Sequence, residues 1–293
     1  MERIINFDNR ELAESTFKET WEEFRNELKE KTFLYDDISK AKESTFLKVF
    51  DDLFNVNNRI ENCVRYLKDI RLDTTIVIGR GAKLKPEEYA DYKRFIPEKD
   101  YINNNRFSPK GVEWLYLTIN ENQDIFNIKK CSEHECRAVL GNEFGFCGFK
   151  LNKIYDDEKI VDLTIYNSIS FNALNEKYRT NLIKLQDRIL DNLRKRRVFP
   201  NETHMEKKVN KWAIDLVAST YTKMLSDQIF IPIEGTDKDI EYAPFQTIAQ
   251  YFISLGFSGI IYKSTVFENG KNLVLFDKNI SQPFGEIEVY TVK

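Results

Sequence analysis

The sequence predicts an α+β fold. Three observations carry that expectation. The first seventy residues repeat apolar side chains at helical spacing, short β-branched runs then begin at Thr74, and further strand runs resume only after some sixty residues of renewed helical period. Strands on both sides of a helical stretch read as one α+β domain interrupted by an insertion. The expected organisation is a helical N-terminal region at 1–70 and a domain of mixed small sheets at 71–293, with the helical insertion at about 171–230.

Phe17, Trp21, Phe24 and Leu28 recur at i, i+4, i+7 and i+11 with charge between them. Phe46, Val49 and Phe50, then Ile60, Val64 and Leu67, suggest two more amphipathic helices. Strands are expected at Thr75–Ile78, Trp114–Ile119 and Ile160–Ile165, with a short helix from Ser132 to Leu140. Leu182, Leu185, Ile189 and Leu193 make one helical stripe, and Val209, Trp212, Leu216 and Val217 begin another, with Pro200 and Asn201 between them. A helix at Gln246–Leu255 precedes strands at Gly259–Tyr262, Asn272–Phe276 and Glu286–Tyr290.

At 293 residues the chain buries a proper core, and 42% hydrophobic with 31% charged residues is a soluble composition. A formal net charge of -3 argues against a dedicated nucleic-acid binder. The run Arg194-Lys195-Arg196-Arg197 ends a predicted helix, where cations suit the macrodipole, and reads first as a solvated helix end. No apolar run approaches the ~18–20 residues of a membrane span. The start, Met1 to Asn6, lacks a signal-peptide apolar stretch, so a cytoplasmic protein is expected. The 4 cysteines form no C-x-x-C pair, and Cys131, His134 and Cys136 fit no zinc spacing, so no metal is expected.

Five residues stand out as candidates for chemistry. Arg106 follows three asparagines and precedes Pro109 and Gly111, a turn on which its guanidinium can capture a phosphate bidentately or simply face solvent. Tyr116 alternates with Leu115 and Leu117, so it packs the second face of a sheet or lays its ring and hydroxyl on a ligand. Glu135 lies nineteen residues further on. Ser132-Glu133-His134-Glu135 matches a helix capping box, which competes with a carboxylate aimed at a ribose. Ser264, at a strand end, either starts a turn or offers its hydroxyl to a phosphate or an amide. Arg80 sits between Gly79 and Gly81 in a context that is not a G-x-G-x-x-G fingerprint, so a dinucleotide-binding Rossmann unit is rejected.

In order and wording these segments resemble the RES-domain family, named for its Arg, Glu and Ser. The first half of the resemblance is carried by Arg80, by the Arg106-Phe107-Ser108-Pro109-Lys110-Gly111 stretch running to Leu115-Tyr116-Leu117, and by Glu135-Cys136-Arg137. The second half is carried by Tyr242-Ala243-Pro244-Phe245-Gln246, Gly256 to Ser264, and Asn272 to Phe276. It spans roughly 74–280 and leaves the N-terminal 70 residues outside. The interval from Tyr116 to Glu135 is a few residues long for the family, which leaves Glu133 as a rival carboxylate. The resemblance implies an ADP-ribosyltransferase-like fold and an NAD-degrading enzyme, a phosphorylase or glycohydrolase of the bacterial toxin or defence-effector type. It implies Arg106, Tyr116, Glu135 and Ser264 as the catalytic set. It also implies that Arg80, Arg106, Tyr116 and Ser264 bind the substrate. NAD is then a substrate rather than a resident cofactor, and inorganic phosphate a co-substrate if the reaction is phosphorolysis. An antitoxin or regulatory protein is the implied partner, and a homo-oligomer is compatible with all of this. The alternatives are ADP-ribosyl transfer onto a macromolecule, and a non-catalytic helical interaction module carrying a degenerate RES domain.

Overall fold

The computed structural model describes residues 10–56, 60–89, 91–195, 202–231 and 238–293. The elements run α1 (Arg10–Lys29), α2 (Ile38–Ala41), α3 (Thr45–Asp51), β1 (Val64–Tyr66), α4 (Leu67–Leu72), β2 (Val77–Lys83), β3 (Leu115–Asn120), α5 (Ile125–Glu135), β4 (Glu143–Leu151), β5 (Lys159–Asp162), α6 (Phe171–Arg194), α7 (Glu202–Phe230), α8 (Lys238–Ser254), β6 (Phe257–Lys263), β7 (Lys271–Leu275) and β8 (Ser281–Thr291). The α+β class holds. The strands join in one eight-stranded sheet ordered β1-β5-β6-β7-β3-β2-β4-β8, antiparallel throughout except for the parallel pair β5–β6.

Both faces of the sheet are covered. On one, the apolar stripe of α1 (Phe17, Trp21, Phe24, Leu28) packs with Phe46 and Phe50 of α3, Tyr221 and Leu225 of α7, and Ile248 and Phe252 of α8. This core is rich in rings: Phe46 stacks on Phe24 at 5.1 Å between centroids and meets Trp21 edge-on at the same separation. On the other face, Leu67 and Ile70 of α4, together with Phe95, cover Leu115, Leu117 and Ile119 of β3 and Leu273 and Leu275 of β7. The period-2 alternation of β3 decides which side chain goes where. Leu115, Leu117 and Ile119 enter the second core, while Tyr116 packs against the first.

Local signals set several boundaries. Ser44 caps α3 by accepting from the Leu47 N–H, and Asp124 caps α5 by accepting from the Asn127 N–H at 3.0 Å. The structure corrects three expectations. Val64 and its neighbours pair with β5 as an edge strand instead of forming a third N-terminal helix. The helix expected at Ser132–Leu140 lies earlier, at Ile125–Glu135. The first strand runs through Gly79-Arg80-Gly81 instead of ending there. Pro200, Asn201, Arg196 and Arg197, singled out as a helix break and part of a basic run, lie outside the described residues.

Candidate active site

A cavity of about 190 Å³ opens over the sheet beside α5. Its floor is a row of residues in register across three strands: Tyr262 of β6 faces Asn272 of β7, which faces Thr118 of β3. Ser132, Glu135 and Cys136 close it from α5 and its C-cap, Asn105 from the loop before β3, and Arg80 and Gly81 from β2. A Cβ on Gly81 would come within 2.9 Å of Ser132 Cβ, so the glycine lets α5 lie close on the sheet.

Glu135 is the centre of the arrangement. Ser264 Oγ donates to its Oε1 at 2.7 Å, and Asn272 Nδ2 donates to the same oxygen at 2.5 Å. Both bonds fall on Oε1, and among the described residues no hydrogen bond to Oε2 accompanies them. Glu135 is the last residue of α5, so it cannot serve the N-terminal capping box that its sequence imitates. A carboxylate at a helix C-terminus opposes the macrodipole, and such a breach of a local rule is typical of a functional position. Glu133 points elsewhere: it is buried, accepts from Lys130 Nζ at 2.7 Å and Tyr290 OH at 2.9 Å, and does not line the cavity.

The other predicted residues gather around this carboxylate in different ways. Ser264 is fully buried. Its oxygen also accepts from the Val266 and Phe267 N–H groups at 3.3 and 3.1 Å, so it both shapes the turn after β6 and holds Glu135. Tyr116 lines the cavity with its hydroxyl 2.9 Å from Ser108 Oγ, and burial pushes its phenol above the ordinary range. Arg80 is on the wall, donates to the Phe95 carbonyl at 3.0 Å, and has its pKa lowered by burial. Arg106 is not on the cavity wall. Its guanidinium donates to the carbonyls of Ile229 and Ile231 at the end of α7 and lies 5.0 Å over the Phe245 ring. It thereby satisfies carbonyls that the helix end leaves open.

Sequence reasoning did not single out Asn272, Thr118, Ser132 or Tyr262 as site residues. Ser132 Oγ donates to Thr118 Oγ1 at 3.1 Å, and Thr118 in turn reaches Asn272 Oδ1 at 3.5 Å, the outer limit of a hydrogen bond. Asn272 had a readable signal, being a polar residue at the head of an otherwise apolar strand. Burial and the charge of Glu135 push the Tyr262 phenol well above its usual range. Cys136 donates to the Gly81 carbonyl and its thiol is pushed up to about 11, chiefly by burial. His134 packs against Phe267, the rings tilted by 39° with centroids 5.3 Å apart. Among the described residues no three of His, Cys, Asp or Glu gather where they could hold a metal ion.

The fold and site define an α+β protein with a carboxylate held over a sheet. A family model described as the RES domain matches residues 184–291, which bears out the family resemblance over that stretch. The matched stretch contains Ser264, Asn272 and Tyr262, while Arg80, Arg106, Tyr116 and Glu135 precede it. Among solved structures, a chain from "Crystal structure of the M.tuberculosis MbcT-MbcA toxin-antitoxin complex" is similar at 10% identity and a TM-score of 0.36, over 80% of this chain and 92% of that one. No curated protein matches the sequence.

Proposed function

We propose that this chain degrades NAD by breaking the bond between nicotinamide nitrogen and ribose C1″, as a toxin or defence effector of the RES-domain type. The observation that carries the reading is the Glu135 carboxylate, bonded by Ser264 and Asn272 and facing a cavity bordered by Tyr116 and Arg80. As the C1″–N bond breaks, its electron pair leaves with neutral nicotinamide and positive charge develops on the ribose. No general acid is needed, in keeping with a chain that has 2 histidines. A carboxylate bonded to the ribose hydroxyls stabilises that oxocarbenium-like state, and fixing it beforehand avoids reorganisation during the step. Tyr116 and Tyr262 give the nicotinamide ring flat, protonated aromatic walls. Arg80, on the cavity wall, supplies positive charge for the diphosphate, and Arg106, whose donors meet the Ile229 and Ile231 carbonyls, adds charge without a direct contact. The new C1″–O bond forms to phosphate or to water, giving a phosphorylated or a free ADP-ribose.

In this reading Ser264 acts through Glu135, since its single proton is already given to that carboxylate. Residue resemblance to RES-domain proteins supports an antitoxin or regulatory protein as partner. The test is purified full-length protein with NAD, with and without phosphate, and mass analysis of products. Nicotinamide release is expected, and Glu135→Gln is expected to lower it by at least about 10²-fold, the scale of losing one preorganised electrostatic group. Mass added to a protein instead of free ADP-ribose would move the assignment to ADP-ribosyl transfer. Turnover by Glu135→Gln equal to that of the unaltered chain would remove Glu135 from the mechanism.

A further inference from the structure

The cavity at Glu135 holds about 190 Å³, below the roughly 300–1,000 Å³ of sites that enclose a drug-sized ligand. A whole dinucleotide exceeds that volume, and the nicotinamide end is the part that the proposed chemistry places at Glu135. If NAD is the substrate, the other half must lie outside. A second cavity, of about 780 Å³, adjoins the same loop. Asn105 faces the inner cavity, while Asn103 and Asn104 face the outer one. Gln246 Nε2 ties the partition together, donating to Asn104 Oδ1 at 2.9 Å and to the Asn105 carbonyl at 3.2 Å.

The outer cavity has a chemistry of its own. Among the described residues Lys29, Lys31 and Lys110 line it and no carboxylate does, although the chain as a whole is acidic. Phe33, Leu34 and Tyr35 supply apolar and aromatic surface beside the ammonium groups. Lys31 takes a left-handed backbone, φ 57°, as the chain turns out of α1. Such a conformation in a lysine is sparsely populated, and here it belongs to the turn that brings Phe33 and Tyr35 to the cavity. Cations suit a phosphate, and a ring-bearing apolar wall suits a purine. Another cavity, of about 610 Å³ beside α6 and α7, includes Asp215 among its lysines and, among the described residues, shares no lining residue with the Asn103–Asn105 loop.

We propose that the outer cavity binds the adenosine 5′-phosphate half of the dinucleotide. This rests on the NAD reading above and gives the N-terminal helical region a part in substrate recognition. Phosphate contacts from Lys31 and Lys110 also relieve Arg106, whose donors already meet two backbone carbonyls.

The experiment titrates AMP into the full-length protein by calorimetry and measures KM for NAD and for nicotinamide mononucleotide, which lacks the adenylate half. AMP is expected to bind. The Lys31→Ala/Lys110→Ala double variant should weaken AMP about tenfold or more, the effect of losing a charge-assisted contact. Glu135→Gln should leave AMP binding unchanged. The same double variant should raise KM for NAD by a similar factor and leave KM for the mononucleotide and kcat for either substrate in place. Lys31→Arg/Lys110→Arg should restore most of the loss, and unchanged circular dichroism checks the fold. Absence of AMP binding, or equal binding by the double alanine variant, overturns the proposal. If NAD is not turned over by the unaltered chain while AMP binding still depends on Lys31 and Lys110, the nucleotide site stands and the NAD-degrading reading falls.

Discussion

Glu135 owes its setting to residues that are far away in sequence. Ser264 and Asn272 lie more than 120 positions downstream, yet both place a donor on one carboxylate oxygen. In the proposed NAD cleavage Asn272 would be a positioning residue, because its amide holds Glu135 and its Oδ1 meets Thr118. Asn272→Ala should lower kcat for nicotinamide release by about 10²-fold with little change in KM, since a carboxylate displaced by ~1 Å loses its alignment with the reacting centre. Single-turnover measurements check this; an unchanged kcat would show that Ser264 alone suffices to hold the carboxylate. At this scale the sequence offered mimicry as well as signal. The S-x-x-E pattern at 132–135 has the form of a capping box, but the helix had already begun at Ile125, capped by Asp124. A four-residue pattern cannot say which end of a helix it occupies. The signal for this helix start is Asp124 followed by the apolar period of Ile125, Ile128 and Cys131.

The elements most legible in the sequence were those with a strong single-sided period. The stripe of α1 is buried throughout at Phe17, Trp21, Phe24 and Leu28. Two strands were obscured because glycine or proline interrupts their period. β4, Glu143–Leu151, contains Gly145 and Gly148 and was not anticipated; an added Cβ at Gly145 would collide with Leu84. β8 contains Pro283 and Gly285 and extends well upstream of the strand expected at Glu286. In both cases the sheet partner supplies the order that local propensity lacks. Helix α1 also reaches the site indirectly: Trp21 packs on Phe245 at 5.3 Å, and Phe245 lies under the Arg106 guanidinium. Trp21→Ala should destabilise the protein by about 3–5 kcal/mol, the range for deleting a large buried ring. Urea unfolding followed by far-UV circular dichroism measures it. A loss under about 1 kcal/mol would mean that the ring cluster of α1 contributes little to the fold.

For the whole molecule, burial of phenols couples stability to alkaline pH. Tyr116, Tyr221, Tyr251 and Tyr262 all have pKa values raised, with burial as the first cause. An unfolded tyrosine ionises near ~10, whereas these native phenols resist ionisation. Above that pH the unfolded chain therefore releases protons that the native chain retains. Stability present in full below about pH 10 is lost progressively above it. Urea midpoints at pH 8 and pH 10.5 should show the fall, and Tyr221→Phe should shrink it; a midpoint that does not move would place these phenols in contact with solvent. No helix among the described residues is long and apolar enough to cross a membrane.

By itself the sequence determined the α+β class, the apolar faces of α1 and β3, and the candidates Arg80, Arg106, Tyr116, Glu135 and Ser264. The class and the faces follow from periodicity, which acts over a few neighbouring positions, and the candidates from the resemblance of their segments, in order, to the RES-domain family. Tertiary structure decided that Glu135 rather than Glu133 faces a cavity, that Asn272 helps hold it, and that Arg106 caps α7. The physical reason is that a side chain's partner depends on which strands lie side by side. The order β6-β7-β3, which puts Tyr262, Asn272 and Thr118 in one row, is a long-range pairing that no local pattern encodes.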